Sequence, residues 1–474
     1  MTSNASLMRR TTDLALGYLD SLEGRPVAAT AGRDGLLADL GGPLPEAGVD
    51  ALEVVEDLAR AADPGLVASG GPRYFGFVIG GSLPAALAAD WLTSAWDQNA
   101  GLFAAGPAAS VAEEVIGSWL IDLLQLPSGT SFGLTTGCQM AHFSCLAAAR
   151  HAVLDRAGWD VEERGLFGAP EIDVVIGTEA HATIHTALQF LGLGRARVIA
   201  VDSDDQGRMR LDMLARDLPD GSRPVIVCLQ AGNVNTGAFD PLGDAIDLVR
   251  SRCPNAWVHI DGAFGLWAAA SPRLSHLVTG HEGADSWASD GHKWLNVPYD
   301  CGYAFVADTR AHRASMSLRA SYLVHAQEAR DPFDWNVEWS RRGRGVATYA
   351  ALRELGRNGI RELVERCCRH AHALVTGIGA LEGAQLMWEP HINQGLVRFP
   401  DPAPGATEAD HDAHTDQVIA GIVRTGRAFV GGTTWRGRRC MRISVCNWQT
   451  SDADVATTIS AVKEVLGNFQ EGRP

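Results

Sequence analysis

Between residues 130 and 306 this 474-residue chain alternates short, almost wholly apolar runs with helical stretches, and no other feature limits its fold so tightly. The runs are 172–177 (IDVVIG), 197–201 (RVIAV), 224–229 (PVIVCL), 256–260 (AWVHI) and 302–306 (GYAFV). A strand with one wet face alternates apolar and polar residues. Runs without that alternation suit a mainly parallel sheet covered by helices on both faces, joined by right-handed crossovers. Residues 1–100 read as helical, with loops at Gly41-Gly42-Pro43 and Gly70-Gly71-Pro72. There, 84–97 (PAALAADWLTSAWD) has the 3.6-residue period of a packed helix, with Pro84 suited to its first turn. After residue 346 helices resume, and 395–399 (GLVRF) and 440–446 (CMRISVC) suggest a smaller α/β unit. The expectation is an α/β protein in three parts: a helical N-terminal segment (1–100), a large α/β domain (101–345) and a small C-terminal α/β domain (346–474).

Charge narrows the partners. Forty basic against 56 acidic residues leave a formal charge of −16, which argues against nucleic acid or an anionic membrane. Asp13 and Asp20 interrupt the apolar stretch behind Arg9-Arg10, so neither a signal peptide nor a membrane span is expected and a cytoplasmic home is the default. The nine cysteines are scattered, none in a CxxC zinc spacing, and read as buried reduced thiols with no metal site.

Four segments carry chemistry. In ADSWASDGHKWLNVPYDCG (284–302), Lys293 stands among small and apolar neighbours. A partly desolvated lysine has a lowered pKa, so its neutral amine can attack an aldehyde, although a lysine taken alone belongs on the surface. In AWVHIDGAFG (256–265), Asp261 lies just past an apolar strand, at the edge where open parallel sheets place ligands. A carboxylate there needs a cationic partner. The protonated ring nitrogen of pyridoxal phosphate is one, with the small Ala263 able to pack on the ring, and a turn or helix-cap aspartate is an equal reading. In GLTTGCQMAHFSCLAAAR (133–150), the N–H groups around Gly137, Cys138 and Gln139 open an alanine-rich helix and could take a phosphate. In TEAHATIHTAL (178–188), His181 follows a strand closely enough to stack on a flat cofactor, whereas His185 is one turn further on. Each segment is ambiguous alone. Their order, phosphate loop, stacking histidine, ring aspartate, lysine, is much less so.

With these segments in place, the chain resembles the group II pyridoxal-phosphate decarboxylases, the family of the aromatic amino acid and glutamate decarboxylases. Further matching stretches are GNVNTGAFDP (232–241), GPRYFGFVIGGSLPAALAADWL (71–92) and GPAASVAEEVIGSWLIDLLQLP (106–127). The resemblance implies the fold type I, aspartate-aminotransferase-like architecture and a homodimer whose N-terminal helices pack across the dimer. It implies decarboxylation of an L-amino acid through a Schiff base on Lys293. Asp261 would be the ring-nitrogen partner and His181 the stacking residue. Cys138 and Gln139 would bind phosphate with His292 nearby, and Asn233 would lie close to the ring oxygen or Asp261. Arg442 falls where relatives of this fold hold the substrate carboxylate. Tyr74, Phe75, Phe77 and Trp96 lie in pocket-lining segments and favour an aromatic or apolar substrate, or else are helix-packing core.

One departure bears on the product. The family's proton-donating tyrosine belongs to a mobile loop corresponding to 322–345 here. Tyr322 aligns before that loop, no tyrosine lies between His325 and Trp335, and Phe333 is nearest the expected place. The stretch 323–338 is expected to be exposed and mobile, with His181 or His325 as substitute acid. Aldehyde-forming oxidative decarboxylation, aldol-type cleavage and transamination are alternatives on the same cofactor, and a non-catalytic cofactor-binding protein is an alternative of another class.

Overall fold

The computed structural model describes residues 3–317 and 329–470. The chain divides into two compact units, one of Gly80–Arg369 with Pro390–Gln394, the other of Met1–Ile79, His370–Glu389 and Gly395–Pro474. These partings differ from residues 100 and 345. The helix Pro84–Trp96 belongs with the first of these units, where Leu83 N–H donates to Asn296 O and Ala85 N–H to the Glu354 carboxylate.

The unit Gly80–Arg369 is built on a seven-stranded sheet: β1 (Ser131–Thr135), β2 (Asp173–Gly177), β3 (Ile199–Val201), β4 (Val225–Gln230), β5 (Trp257–Asp261), β6 (Ser286–Asp290) and β7 (Gly302–Val306). Their order is β1-β7-β6-β5-β4-β2-β3. From β6 to β3 the strands are parallel, and β7 runs antiparallel to both neighbours. The fold type I architecture expected from the sequence is therefore present. Two strands, β1 and β6, carry no apolar run. In β6, SWASD, all five residues are nonetheless buried: Ser286 is paired across the sheet, Asp290 is held by Cys138 N–H and Lys293, and the Ser289 hydroxyl has no hydrogen-bond partner among the described residues. Ser286 Oγ, for instance, takes the indole N–H of Trp257 at 2.8 Å. Over the sheet lies the helix Cys138–Arg156, whose Ala147, Ala148 and Ala149 are at most 2% exposed and let it approach the strands closely.

This topology gathers the C-terminal ends of β2, β4, β5 and β6 on one edge. Residues Gly177, Gln230, Asp261 and Asp290 stand there, and the loops that follow carry His181, Asn233, Ala263 and Lys293.

The other unit holds the small sheet, β8 (Gln385–Leu386), β9 (Gln394–Arg398), β10 (Gly431–Trp435) and β11 (Arg438–Ser444), in the order β10-β11-β9-β8. The N-terminal helices Asn4–Ser21, Arg33–Leu40 and Ala51–Ala62 belong with it. Val27 N–H donates to Gly426 O at 3.0 Å, and Arg73 pairs with Asp454 at 2.9 Å. No helix among the described residues is long and apolar enough to cross a membrane.

In the described part of the 323–338 stretch, the expectation of an exposed segment fails. Pro332–Trp335 forms a 3-10 turn in which Pro332, Phe333 and Asp334 are buried. Arg330 lies over the Phe132 ring at 4.0 Å and beside buried Glu113, which Arg341 also pairs at 2.9 Å. A buried carboxylate shared by two arginines, with aromatic cover, pins this segment to the core. Tyr322 and His325 lie outside the described residues.

Candidate active site

The lysine sits in a turn that few sequences could make. After β6 the chain passes through Gly291, where a Cβ would lie 2.3 Å from the Tyr303 hydroxyl. It is closed by Asn296, whose φ of +55° is left-handed. Asn296 donates its amide to Trp294 O at 2.8 Å, accepts Gly81 N–H at 2.7 Å, and accepts Leu83 N–H on its carbonyl. Gly80 approaches so closely that a Cβ would lie 2.0 Å from Lys293 O. The Lys293 side chain is 20% exposed, and its Nζ lies 3.0 Å from Asp290 Oδ2. Burial works to lower the ammonium's pKa, but the Asp290 carboxylate, with Cys138 and Asp261 behind it, outweighs burial and raises it. This corrects the expected lowering: a buried carboxylate, not apolar surroundings, is the lysine's nearest neighbour.

Asp261 ends β5 and is 5% exposed. Its Oδ1 accepts Ala263 N–H at 3.2 Å and lies 3.5 Å from His142 Nε2. Burial would raise its carboxyl pKa; the His142, His181 and Lys293 charges overcome burial and hold it well below the usual carboxylate range. Asp261 and His181 line one small cavity together with Gly177, Ala180 and Gln230. His181 itself is exposed and caps the helix Ala182–Phe190, its Nδ1 accepting Thr183 N–H and facing Thr183 Oγ1 at 2.8 Å. The remaining nitrogen, Nε2, then carries the proton of the neutral ring.

At the other end of the site, Gly137 precedes the helix Cys138–Arg156 and, lacking a side chain, makes no cap of its own. A Cβ on Gly137 would lie 3.1 Å from His292 Cε1, and one on Gly302 would strike the Gly137 backbone at 2.6 Å, so two glycines let helix, strand and lysine turn meet. Cys138 N–H is already taken by Asp290 Oδ1 at 2.6 Å, while exposed Gln139 is open. The Cys138 thiol points inward, 3.4 Å from His142 Nε2. His292 Nδ1 accepts Cys301 N–H at 3.1 Å, its Nε2 is 3.6 Å from Asp290 Oδ1, and its ring stacks on Tyr299 at 4.2 Å. Burial lowers its pKa.

Asn233, 1% exposed, is committed to its own loop: Oδ1 accepts the N–H groups of Asn235 and Thr236, and Nδ2 donates to Gln230 Oε1 at 3.1 Å. Phe77 and Arg442 belong to the other unit. There Phe77 is 63% exposed with a left-handed φ of +49°, and Arg442 lies on β11, its pKa lowered by burial.

Asp290, Asn296, His142 and Glu113 were missed by sequence reasoning. A readable signal existed for the first, an acid three residues before the lysine at the end of a strand, and for His142, one turn after Cys138 on the same helix face. Cys138, His142 and Asp261 each offer a ligand atom within 4.8 Å of the others, and the contacts they make with one another account for the grouping.

These residues fit pyridoxal phosphate. An amine beside an acid, an ionised buried carboxylate for the ring nitrogen, a small residue and an imidazole near it, and a helix N-terminus all stand along one sheet edge.

Comparison with known proteins agrees. Residues 38–400 match the model of the pyridoxal-dependent decarboxylase conserved domain. The chain is 28% identical to tryptophan decarboxylase 1 of Oryza sativa subsp. japonica, over 93% of this chain and 89% of that one. It is 29% identical to L-2,4-diaminobutyrate decarboxylase of Rhizobium meliloti (strain 1021), over 93% and 86%. The fold matches the Oryza sativa tryptophan decarboxylase crystal structure, solved with pyridoxal phosphate and tryptamine, with a TM-score of 0.90 at 24% identity, covering 98% of each chain. The chain belongs to the pyridoxal-dependent decarboxylase family.

Proposed function

We propose that this chain decarboxylates an L-amino acid with an aromatic or apolar side chain, with Lys293 as the cofactor-bearing amine and Asp261 as the ring-nitrogen partner. The observation that carries the residue assignment is the placement of Lys293, Asp290 and Asp261 at the ends of the adjacent strands β5 and β6. When bound, the cofactor supplies an electron sink for the bond to the carboxylate. The chain's own groups do the rest. Asp261 offers an ionised oxygen to the ring nitrogen, Asp290 holds the Lys293 amine, and the N-terminus of Cys138–Arg156 attracts phosphate. His181 is the proposed proton donor to the substrate carbon, His325 the reserve; Phe77 and Arg442 would meet the substrate.

A homodimer is supported by apolar side chains left in water on two helices of one unit: Trp91, Leu92 and Trp96 on Pro84–Trp96, and Val111 and Trp119 on Pro107–Leu123. A reducing, cytoplasmic setting is supported by nine cysteines that form no disulfide.

The test is a panel of amino acids assayed for carbon dioxide together with amine, aldehyde and peroxide. Release from aromatic or apolar substrates with matching amine supports the reading; release confined to polar substrates removes the substrate class. A second reading, aldehyde formation, is favoured by the lack of a tyrosine between His325 and Trp335, and stoichiometric peroxide would establish it.

A further inference from the structure

Behind Asp261 runs a file of buried polar groups that the reaction as described does not use. His142 Nδ1 lies 2.9 Å from His259 Nε2, and the two rings meet edge to face. His259 Nδ1 lies 2.9 Å from Ser286 Oγ, which also takes the Trp257 indole N–H. His142, His259 and Ser286 are all 0% exposed. The file crosses three elements, the helix Cys138–Arg156, β5 and β6, and ends on Asp261 Oδ1.

The ends restrict the protons. An indole N–H can only donate and an ionised carboxylate can only accept. Two buried imidazoles in an apolar core are costly unless each nitrogen has a partner, and here each has one. His142 can hold Asp261 only with a hydrogen on Nε2, because Asp261 can only accept; the other neutral tautomer would have Nε2 accept from the Cys138 thiol 3.4 Å away and leave Asp261 without this donor. His259 is neutral, its pKa pushed down to about 3 by burial and by His142. It can therefore match either state of His142 by switching tautomer, Nε2–H where His142 Nδ1 accepts and Nδ1–H where it donates, and the Ser286 hydroxyl can turn to suit.

We propose that His142 and His259 are positioning residues for Asp261: the His142 Nε2–H holds the carboxylate ionised and fixed in rotamer, and so sets how firmly the cofactor's ring nitrogen keeps its proton. The proposal rests on the assignment of Asp261 to that nitrogen. The contacts the described residues give the Asp261 carboxylate all fall on Oδ1, so one oxygen is tied to the protein and the other is left toward the cavity it shares with His181. Glutamine at position 142 would keep a donor and an acceptor; leucine would keep only bulk.

The experiment titrates wild type, His142→Leu, His142→Gln and Asp261→Ala apoproteins with pyridoxal phosphate, reading the dissociation constant, the absorbance of the bound cofactor and the apoprotein melting temperature. One pKa unit at the carboxylate is about tenfold in affinity. His142→Leu should weaken binding about tenfold or more and reduce the yellow band, while His142→Gln should stay within about threefold of wild type. Leucine and glutamine variants that lose melting temperature and affinity in parallel would reduce His142 to a packing role and overturn the proposal. If Asp261→Ala changes the spectrum and His142→Leu does not, the proposal fails and the Asp261 assignment stands; if Asp261→Ala leaves it unchanged, the assignment fails first. Should the leucine variant not fold, nitrogen-15 histidine spectra of wild-type apoprotein decide: a protonated His142 Nε2 is required, and a ring protonated at Nδ1 alone overturns the proposal.

Discussion

Lys293 Nζ and Asp290 Oδ2 stand 3.0 Å apart, and the other oxygen of the same carboxylate accepts the Cys138 N–H that opens the phosphate-end helix. One buried acid thus joins the lysine turn to the helix and keeps the amine charged in the free protein. Charge must leave that amine before it can attack an aldehyde. Because the folded pKa is raised, the pair's stabilisation is complete below the lysine's ordinary pKa and is lost only as pH rises through the higher folded value. Asp290→Asn keeps an acceptor for Cys138 and removes the charge. Cofactor uptake by apoprotein, followed by absorbance against pH, should then reach half its maximal rate at least about one unit lower. An unmoved profile would mean that the pair does not govern uptake.

Borohydride should abolish the yellow absorbance and fix the label on Lys293, and Lys293→Ala should fold, remain colourless and turn over nothing. Asp261→Ala should lose on the order of a hundredfold or more in rate, as expected when a fixed charge facing the reacting system is removed. Peptide mapping and steady-state kinetics check the two. Near-wild-type activity in Asp261→Ala would leave Asp261 as a turn residue only.

Phe333 is 1% exposed and packs on Trp339 at 4.9 Å, and its N–H donates to Gly101 O. It is therefore a core residue. Phe333→Tyr should bury an unsatisfied hydroxyl at a cost of about 1–3 kcal/mol, lowering the melting temperature without changing the ratio of amine to aldehyde. A shift toward amine would return this position to the chemistry. His181→Gln, by contrast, should lower amine yield if His181 is the donor.

Glu113 and Arg341 are both 0% exposed on their side chains, and Arg330 completes the cluster. Glu113→Gln leaves two guanidinium groups without their counter-charge. Breaking a buried pair from one side typically costs about 3–5 kcal/mol. Differential scanning calorimetry of the apoprotein should show a loss of that order, and limited proteolysis should cut first near residues 329–341.

His312 is fully buried against Ser131 and Trp335, with its pKa pushed down to about 3 by burial and Arg330. A histidine depressed in the fold stabilises above its ordinary pKa, and that stability is lost as pH falls from about 6.5 toward 3. Urea midpoints measured from pH 7 to 4 should therefore fall with pH, and fall less steeply in His312→Gln. Parallel slopes would assign the acid sensitivity to other groups, His259 among them.

Much of this was written in one dimension. The apolar runs that became β2, β4, β5 and β7 announced a doubly covered sheet, because burial on both faces leaves no room for polar alternation. The order of Gly137, His181, Asp261 and Lys293 announced the cofactor, because each follows an element whose end a parallel sheet sends to the same edge. What no local pattern could show was pairing across the sheet. β6 is polar in sequence and central in space, since Trp257 and His259 on β5 satisfy its Ser286. Asp290 turned an expected neutral lysine into a charged one, and His142, one alanine-rich-helix residue among many, met Asp261 and His259. Likewise Phe333 became core because Gly101 and Trp339, both distant in sequence or hidden beyond a turn, close around it. Periodicity reports which face of an element is buried; only the tertiary structure decides which charges share that burial, and in a low-dielectric interior those neighbours set the protonation states on which the chemistry depends.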